Sequence, residues 1–190
     1  MPAPKLDILA ISGALRRGSF NTALLRAAAG LLPEDVTLEI HTLHGIPLYD
    51  GDVEAAAGVP ASVSALKDAV AAADGVLLAT PEYNNGIPGT FKNAIDWMSR
   101  PAGDIPRVFG ARSFALMGAS PGPFGTTLSQ AAWLPNQTLV PSVRSTGSRL
   151  LVAHASAVFD ESLAIKDAAV QQRVRTFLTG FVAAVRHAQR

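Results

Sequence analysis

Residues 75–98 read GVLLATPEYNNGIPGTFKNAIDWM, a stretch that contains one complete strand, loop and helix. The run from Gly75 to Thr80 is apolar on both faces, as expected of a strand buried on both sides of a parallel sheet. Thr80 to Gly89 then holds two prolines and two glycines, residues that end regular structure and stiffen or tighten the backbone. Beyond it, Phe91, Ile95 and Met98 recur at i, i+4 and i+7, which places them on one helical face.

The same unit repeats outward from this stretch. Strands are expected at residues 5–12 (KLDILAIS), 36–43 (VTLEIHTL), 112–118 (RSFALMG) and 148–153 (SRLLVA). Between them, Leu24, Ala28 and Leu31 form one helical stripe, and Val63, Leu66 and Val70 form another. The clearest helix is the last. Val170, Val174, Phe177, Phe181 and Val185 keep one face apolar, Asp167 is placed to cap it, and Gly180 weakens it slightly. Gly45 to Pro60 and Pro101 to Gly110 read as surface loops. Phe124 to Leu134 has helical spacing, and Pro135 and Pro141 interrupt the chain beyond it.

Alternating strands and helices predict an α/β fold. Five parallel strands most simply form a three-layer, doubly wound sandwich, and the flavodoxin-like order 2-1-3-4-5 fits it. A chain of 190 residues is the size of one domain, spanning 1–190. Only 16% of residues are charged and the net charge is +1, which argues against disorder and against nucleic acid as a partner. A small molecule becomes the expected partner. The absence of cysteine removes dithiol redox chemistry and a Cys nucleophile, so redox activity would need a bound cofactor. The amino-terminal MPAPKLDILAIS lacks the basic segment and apolar core of a signal peptide, and no uncharged run is long enough to span a membrane. A cytoplasmic protein with no membrane partner is expected.

Ligands of such sheets sit at the carboxyl ends of the strands, which directs attention to three loops. After strand one, Ser12 to Asn21 leads directly into a helix. Helix amino termini attract anions, Gly13 and Gly18 permit tight turns, Ser19 can cap and donate its hydroxyl, and Arg16 or Arg17 can add a charged contact. The plainer alternative is a helix cap with two solvated arginines. The loop matches neither G-x-x-x-x-G-K-[ST] nor G-x-G-x-x-G, and His41, Thr42 and Leu43 stand where a dinucleotide fold would want an acid. A mononucleotide phosphate fits better than resident NAD, and the strand order makes FMN the natural candidate.

After strand three, the stiff Pro81 to Gly89 turn can present Tyr83 and backbone amides to a flat ring, or serve only as a rigid connector. After strand four, the small residues Gly118 to Gly122 allow close backbone approach, and their amides could stabilise charge on a reduced flavin. The same five residues match G-x-S-x-G, and Ser120, Asp160 and His187 follow the order of a hydrolase triad. Pro121 counts against that reading, since it lacks the N–H that an oxyanion hole needs there. The histidines, without paired carboxylates, predict no metal site.

The segments GALRRGSFN (13–21), PEYNNGIPG (81–89) and FKNAIDW (91–97), in this order, resemble the flavodoxin-like NAD(P)H-dependent FMN reductases, in particular bacterial quinone and chromate reductases. Ile46 to Asp50 and the Phe159-Asp160 pair add to the resemblance, which covers nearly the whole chain. It implies that Arg16, Ser19 and Asn21 hold the FMN phosphate with help from Phe20. It further implies that Pro81, Glu82, Tyr83 and Asn84 border the isoalloxazine and that Ser120 with Gly122 closes its other edge. Ala14 departs from the family's usual Ser, which implies stronger dependence on Arg16 and Ser19 or weaker retention of FMN.

The implied activity is a ping-pong transfer from NADPH or NADH through FMN to a quinone, azo compound, metal oxyanion or free flavin. The cofactor carries the chemistry, and no side chain is assigned as an obligatory acid or base. A homodimer or homotetramer with the flavin near a subunit boundary is also implied. Two other readings compete with it: a flavodoxin-type carrier without its own NAD(P)H reaction, and a serine hydrolase using Ser120.

Overall fold

The computed structural model describes residues 5–110, 112–133 and 144–189. Five strands, β1 (Leu6–Ser12), β2 (Val36–Thr42), β3 (Gly75–Ala79), β4 (Ser113–Ala119) and β5 (Arg144–Val152), form one sheet in the order β2-β1-β3-β4-β5. Every neighbouring pair is parallel. Among the described residues the helices are α1 (Phe20–Ala29), α2 (Gly51–Ala57), α3 (Ala61–Ala72), α4 (Gly89–Met98), α5 (Ile105–Phe109), α6 (Thr127–Ala132), α7 (Ala155–Val158) and α8 (Ala168–Ala188).

Strand alternation divides the interior between the two faces of the sheet. Ile8, Ala10, Leu77 and Met117 pack with Leu24 and Ala28 of α1 and with Val174, Phe181 and Val185 of α8. Leu9, Ile11, Val76 and Leu116 pack with Leu66 and Val70 of α3, Phe91 and Met98 of α4, and Val108 of α5. This is the three-layer flavodoxin-like sandwich expected from the strand pattern. Each fully buried large side chain contributes roughly 1.5–3 kcal/mol. Asp167 caps α8 as expected, its Oδ1 accepting the N–H groups of Ala169 at 2.8 Å and Val170 at 3.1 Å.

The departures from expectation lie outside the apolar stripes. Gly45 to Pro60, expected as loop, contains α2, started by the Asp50 carboxylate accepting the Asp52 N–H at 2.8 Å. No residue of α2 is buried, so it has no stripe to read. Pro101 to Gly110 likewise holds a helical turn at Ala102–Asp104 and then α5, which opens with proline in its first turn and buries Val108 and Phe109. The expected helix over Phe124 to Leu134 shortens to α6, while Leu134, Pro135 and Pro141 lie outside the described residues. Strand β5 begins at Arg144 rather than Ser148, within a polar run that carries no apolar signal. Its register against β4 shifts between the pairs Phe114–Ser145 and Leu116–Arg149.

Lys67 is also unanticipated, since its side chain is 2% exposed on the buried side of α3. Its Nζ lies 2.5 Å from Asp104 Oδ2 and donates to the Arg100 carbonyl. Arg107 joins Asp104 to Asp68, and together these bonds pin residues 100–107 onto α3. The hydrogen bonds from Lys67 and then Arg107 hold the Asp104 carboxyl below its usual pKa range.

Candidate functional site

Strand β1 delivers the first loop, and α1 receives it. Ser19 closes the loop as the helix cap: its Oγ accepts the N–H groups of Asn21 at 3.1 Å and Thr22 at 3.3 Å, leaving the hydroxyl hydrogen to donate elsewhere. Among the described residues, the N–H groups of Arg16, Arg17, Gly18 and Phe20 meet no protein acceptor, and Arg16 has no carboxylate partner. Unpartnered donors beside a helix amino terminus suit an oxyanion. Gly13 has a different role from the turn expected of it. A Cβ there would come 2.3 Å from Phe91 Cδ1, so the bare backbone lets α4 pack against the end of β1.

The second loop follows β3. Asn84 and Asn85 both have positive φ, 50° and 61°, and Tyr83 and Gly86 pair across them as a minimal hairpin. Asparagine tolerates this left-handed geometry better than most residues, which explains the Asn-Asn pair. The hairpin leaves the Tyr83 side chain 52% exposed. Glu82 turns toward the third loop: its Oε2 accepts the N–H groups of Leu128 at 2.7 Å and Ser129 at 2.9 Å. Thr126, at the cap position of α6, makes no side-chain cap bond, so a carboxylate from another loop completes the start of that helix.

The third loop follows β4 and is bonded to both sides. Asn21 Nδ2 donates to the Ala119 carbonyl and its Oδ1 accepts the Ala119 N–H, each at 3.0 Å. The Ser120 hydroxyl donates to the Gly125 carbonyl, and the Ser120 N–H donates to Val152 at 3.0 Å. Gly122 accepts the His154 N–H at 3.0 Å.

These contacts separate the members of the hydrolase triad. His187 lies near the carboxyl end of α8, and two residues later Gln189 bonds to Asp74, just before β3 begins. Ser120 follows the opposite, carboxyl end of β4. The Asp160 carboxylate accepts the Ser162 hydroxyl and the Ala164 N–H, bonds that lower its pKa. Neither Asp160 nor His187 serves Ser120.

The three loops enclose a cleft of about 200 Å³. Of the ten residues singled out in the sequence, Arg16, Ser19, Phe20, Asn21, Pro81, Glu82, Tyr83 and Ser120 line it, whereas Asn84 and Gly122 do not. Asn21 reaches the cleft while its side-chain amide is engaged with Ala119, and the Glu82 carboxylate is engaged with α6. Ala14, Ala119 and Pro121 complete the lining. They carry no polar side chain; Ala14 is marked in the sequence as a departure from the family's usual Ser, while Ala119 has only its place at a strand end to mark it. Among the described residues no group of three or more His, Asp or Glu is arranged to hold a metal.

A family model for NADPH-dependent FMN reductase matches residues 6–156. An NAD(P)H-dependent FMN reductase of Pseudomonas aeruginosa is 45% identical over 135 residues, covering 71% of this chain and 70% of that protein. A 2-hydroxy-1,4-benzoquinone reductase of a Burkholderia species is 34% identical over 181 residues, 95% of this chain and 97% of that one. Among solved structures, a flavoenzyme NAD(P)H:(acceptor) oxidoreductase from Paracoccus denitrificans superposes with a TM-score of 0.78 at 31% identity, covering 96% of this chain and 98% of that one. The matched span 6–156 contains all three loops of the cleft, and the chain belongs to the NADPH-dependent FMN reductase family.

Proposed function

We propose that this chain, as one domain, is an NAD(P)H-dependent reductase that holds FMN in the three-loop cleft and delivers electrons to a quinone, azo compound, metal oxyanion or free flavin. The observation that carries the proposal is the convergence of unpartnered donors at the start of α1 with the rigid hairpin of the second loop in one cleft. When bound, FMN accepts hydride from NAD(P)H and passes the electrons on. The residues present fit it. Arg16, the Ser19 hydroxyl and the nearby backbone amides would hold the phosphate, while Pro81, Tyr83 and Ser120 would border the ring.

The protein's part is orientation and electrostatics. The Tyr83 to Gly86 hairpin fixes the wall of the cleft, and the Asn21–Ala119 bonds fix the spacing between the phosphate loop and the end of β4. Reductant and acceptor are proposed to use the same opening in turn. Initial rates with NADPH and a quinone varied together should then give parallel double-reciprocal lines; intersecting lines would contradict the shared position.

Leu48, Val53, Phe124 and Leu128 are large apolar residues exposed on segments that follow β2 and β4, and Leu48 is 84% exposed. A second copy of the chain covering them would give the homodimer or homotetramer proposed here. No helix among the described residues is long and apolar enough to cross a membrane. A cytoplasmic location is part of the proposal, and sedimentation of the purified protein tests the assembly.

A further inference from the structure

We propose that Phe159 is a positioning residue for the phosphate site, acting on Arg16 through the ring of Phe20; this rests on the reading of residues 13–21 as the FMN phosphate loop. The Arg16 guanidinium carbon lies 5.8 Å from the Phe20 ring centroid, within reach of a cation–π attraction. Among the described residues no carboxylate pairs with Arg16, and that ring restrains the cation. Gly18 leaves the space it occupies, since a Cβ at Gly18 would come 2.9 Å from Arg16 Nη1.

Phe20 is held in turn. It is half-buried at the start of α1 and stacks on Phe159, with centroids 5.4 Å apart and planes inclined by 28°. Phe159 is a firm support. It is 3% exposed, donates its N–H to the Ala155 carbonyl at 3.0 Å and pairs with Ile165 across a short bridge. It does not line the cleft, so any effect on the ligand must pass through its neighbours. A flexible arginine held near its working position loses less conformational freedom when the anion arrives. Removing the Phe159 ring frees Phe20 to turn away and leaves the exposed Arg16 side chain without that restraint.

The test is a double-mutant cycle on FMN affinity, measured by flavin fluorescence with the wild type, Phe159→Leu, Arg16→Ala and the double variant. Phe159→Leu should raise the FMN dissociation constant about 2- to 5-fold, the scale of an exposed cation–π contact. It should change nothing in the Arg16→Ala background, and Phe159→Tyr should restore wild-type affinity. Equal losses in both backgrounds, or no loss in the wild-type background, would overturn the proposal and leave Phe159 a core residue only. If Arg16→Ala itself leaves FMN affinity unchanged, the phosphate assignment fails and this inference with it. Should Phe159→Leu not fold, Phe159→Met, which keeps more of the buried volume but no ring, completes the same cycle with the same criteria.

Discussion

Asn21 and Ala119 exchange two hydrogen bonds of 3.0 Å, which tie the first turn of α1 to the last residue of β4. Both partners are buried, so neither can turn to water when the other is lost. Asn21→Ala should therefore cost about 2–4 kcal/mol of stability, read from the shift in urea midpoint, and should weaken FMN binding as the two loops separate. Asn21→Asp keeps the acceptor but sets a charge against the Ala119 carbonyl, and it should not recover the loss.

Arg16 and Ser19 carry the proposed phosphate contacts. Replacing both with Ala should weaken FMN by about 2 kcal/mol or more, roughly 30-fold in dissociation constant. Ser19→Ala also removes the α1 cap, worth about 1 kcal/mol, so thermal melts of the flavin-free protein are needed to separate folding from binding. An unchanged flavin titration would remove the phosphate from this loop.

Glu82 predicts a split between two steps of turnover. Its carboxylate caps α6 from a loop that lines the cleft, so Glu82→Ala should loosen the second loop against the third. The loss of a cap costs about 1 kcal/mol, or about 2–4 °C in Tm for a chain of this size. KM for the quinone should rise by more than the NADPH-driven rate falls, which stopped-flow and steady-state rates compare directly.

Lys67 and Asp104 predict an acid sensitivity. The folded-state pKa of Asp104 is lowered, first by the Lys67 hydrogen bond and then by Arg107, so its contribution is present above the ordinary carboxylate pKa of about 4 and is lost as pH falls through the folded value. Melting curves from neutral to acid pH should show a gap between wild type and Asp104→Asn that closes below that range. Asp104→Ala should be more harmful than Lys67→Met, because it strands a buried ammonium.

The sheet was legible because β3 and β4 are apolar on both faces and α8 repeats its stripe through Phe181 and Val185. Helix α2 was not, because a helix with no buried residue leaves no periodic trace. The lining of the cleft was largely legible, since strand ends in this topology converge wherever their loops lead. The tasks of single side chains there were not. Glu82 was legible as a lining residue, but only the fold shows its carboxylate accepting the N–H groups of Leu128 and Ser129. Asn21 was legible as a residue of the phosphate loop, but only the order β1-β3-β4 shows its side-chain amide bonded to Ala119. Gly13 reads as a turn residue, yet the Phe91 ring of α4 is the reason no side chain fits there.

The most direct measurement is an anaerobic absorbance spectrum of the purified protein with added FMN, taken before and after NADPH, then NADH, then a quinone. The account predicts a perturbed flavin spectrum that bleaches with a reduced nicotinamide and returns when the quinone is added. A flavin that binds but stays oxidised with both nucleotides would contradict the reductase, and the absence of FMN binding would contradict the three-loop cleft itself.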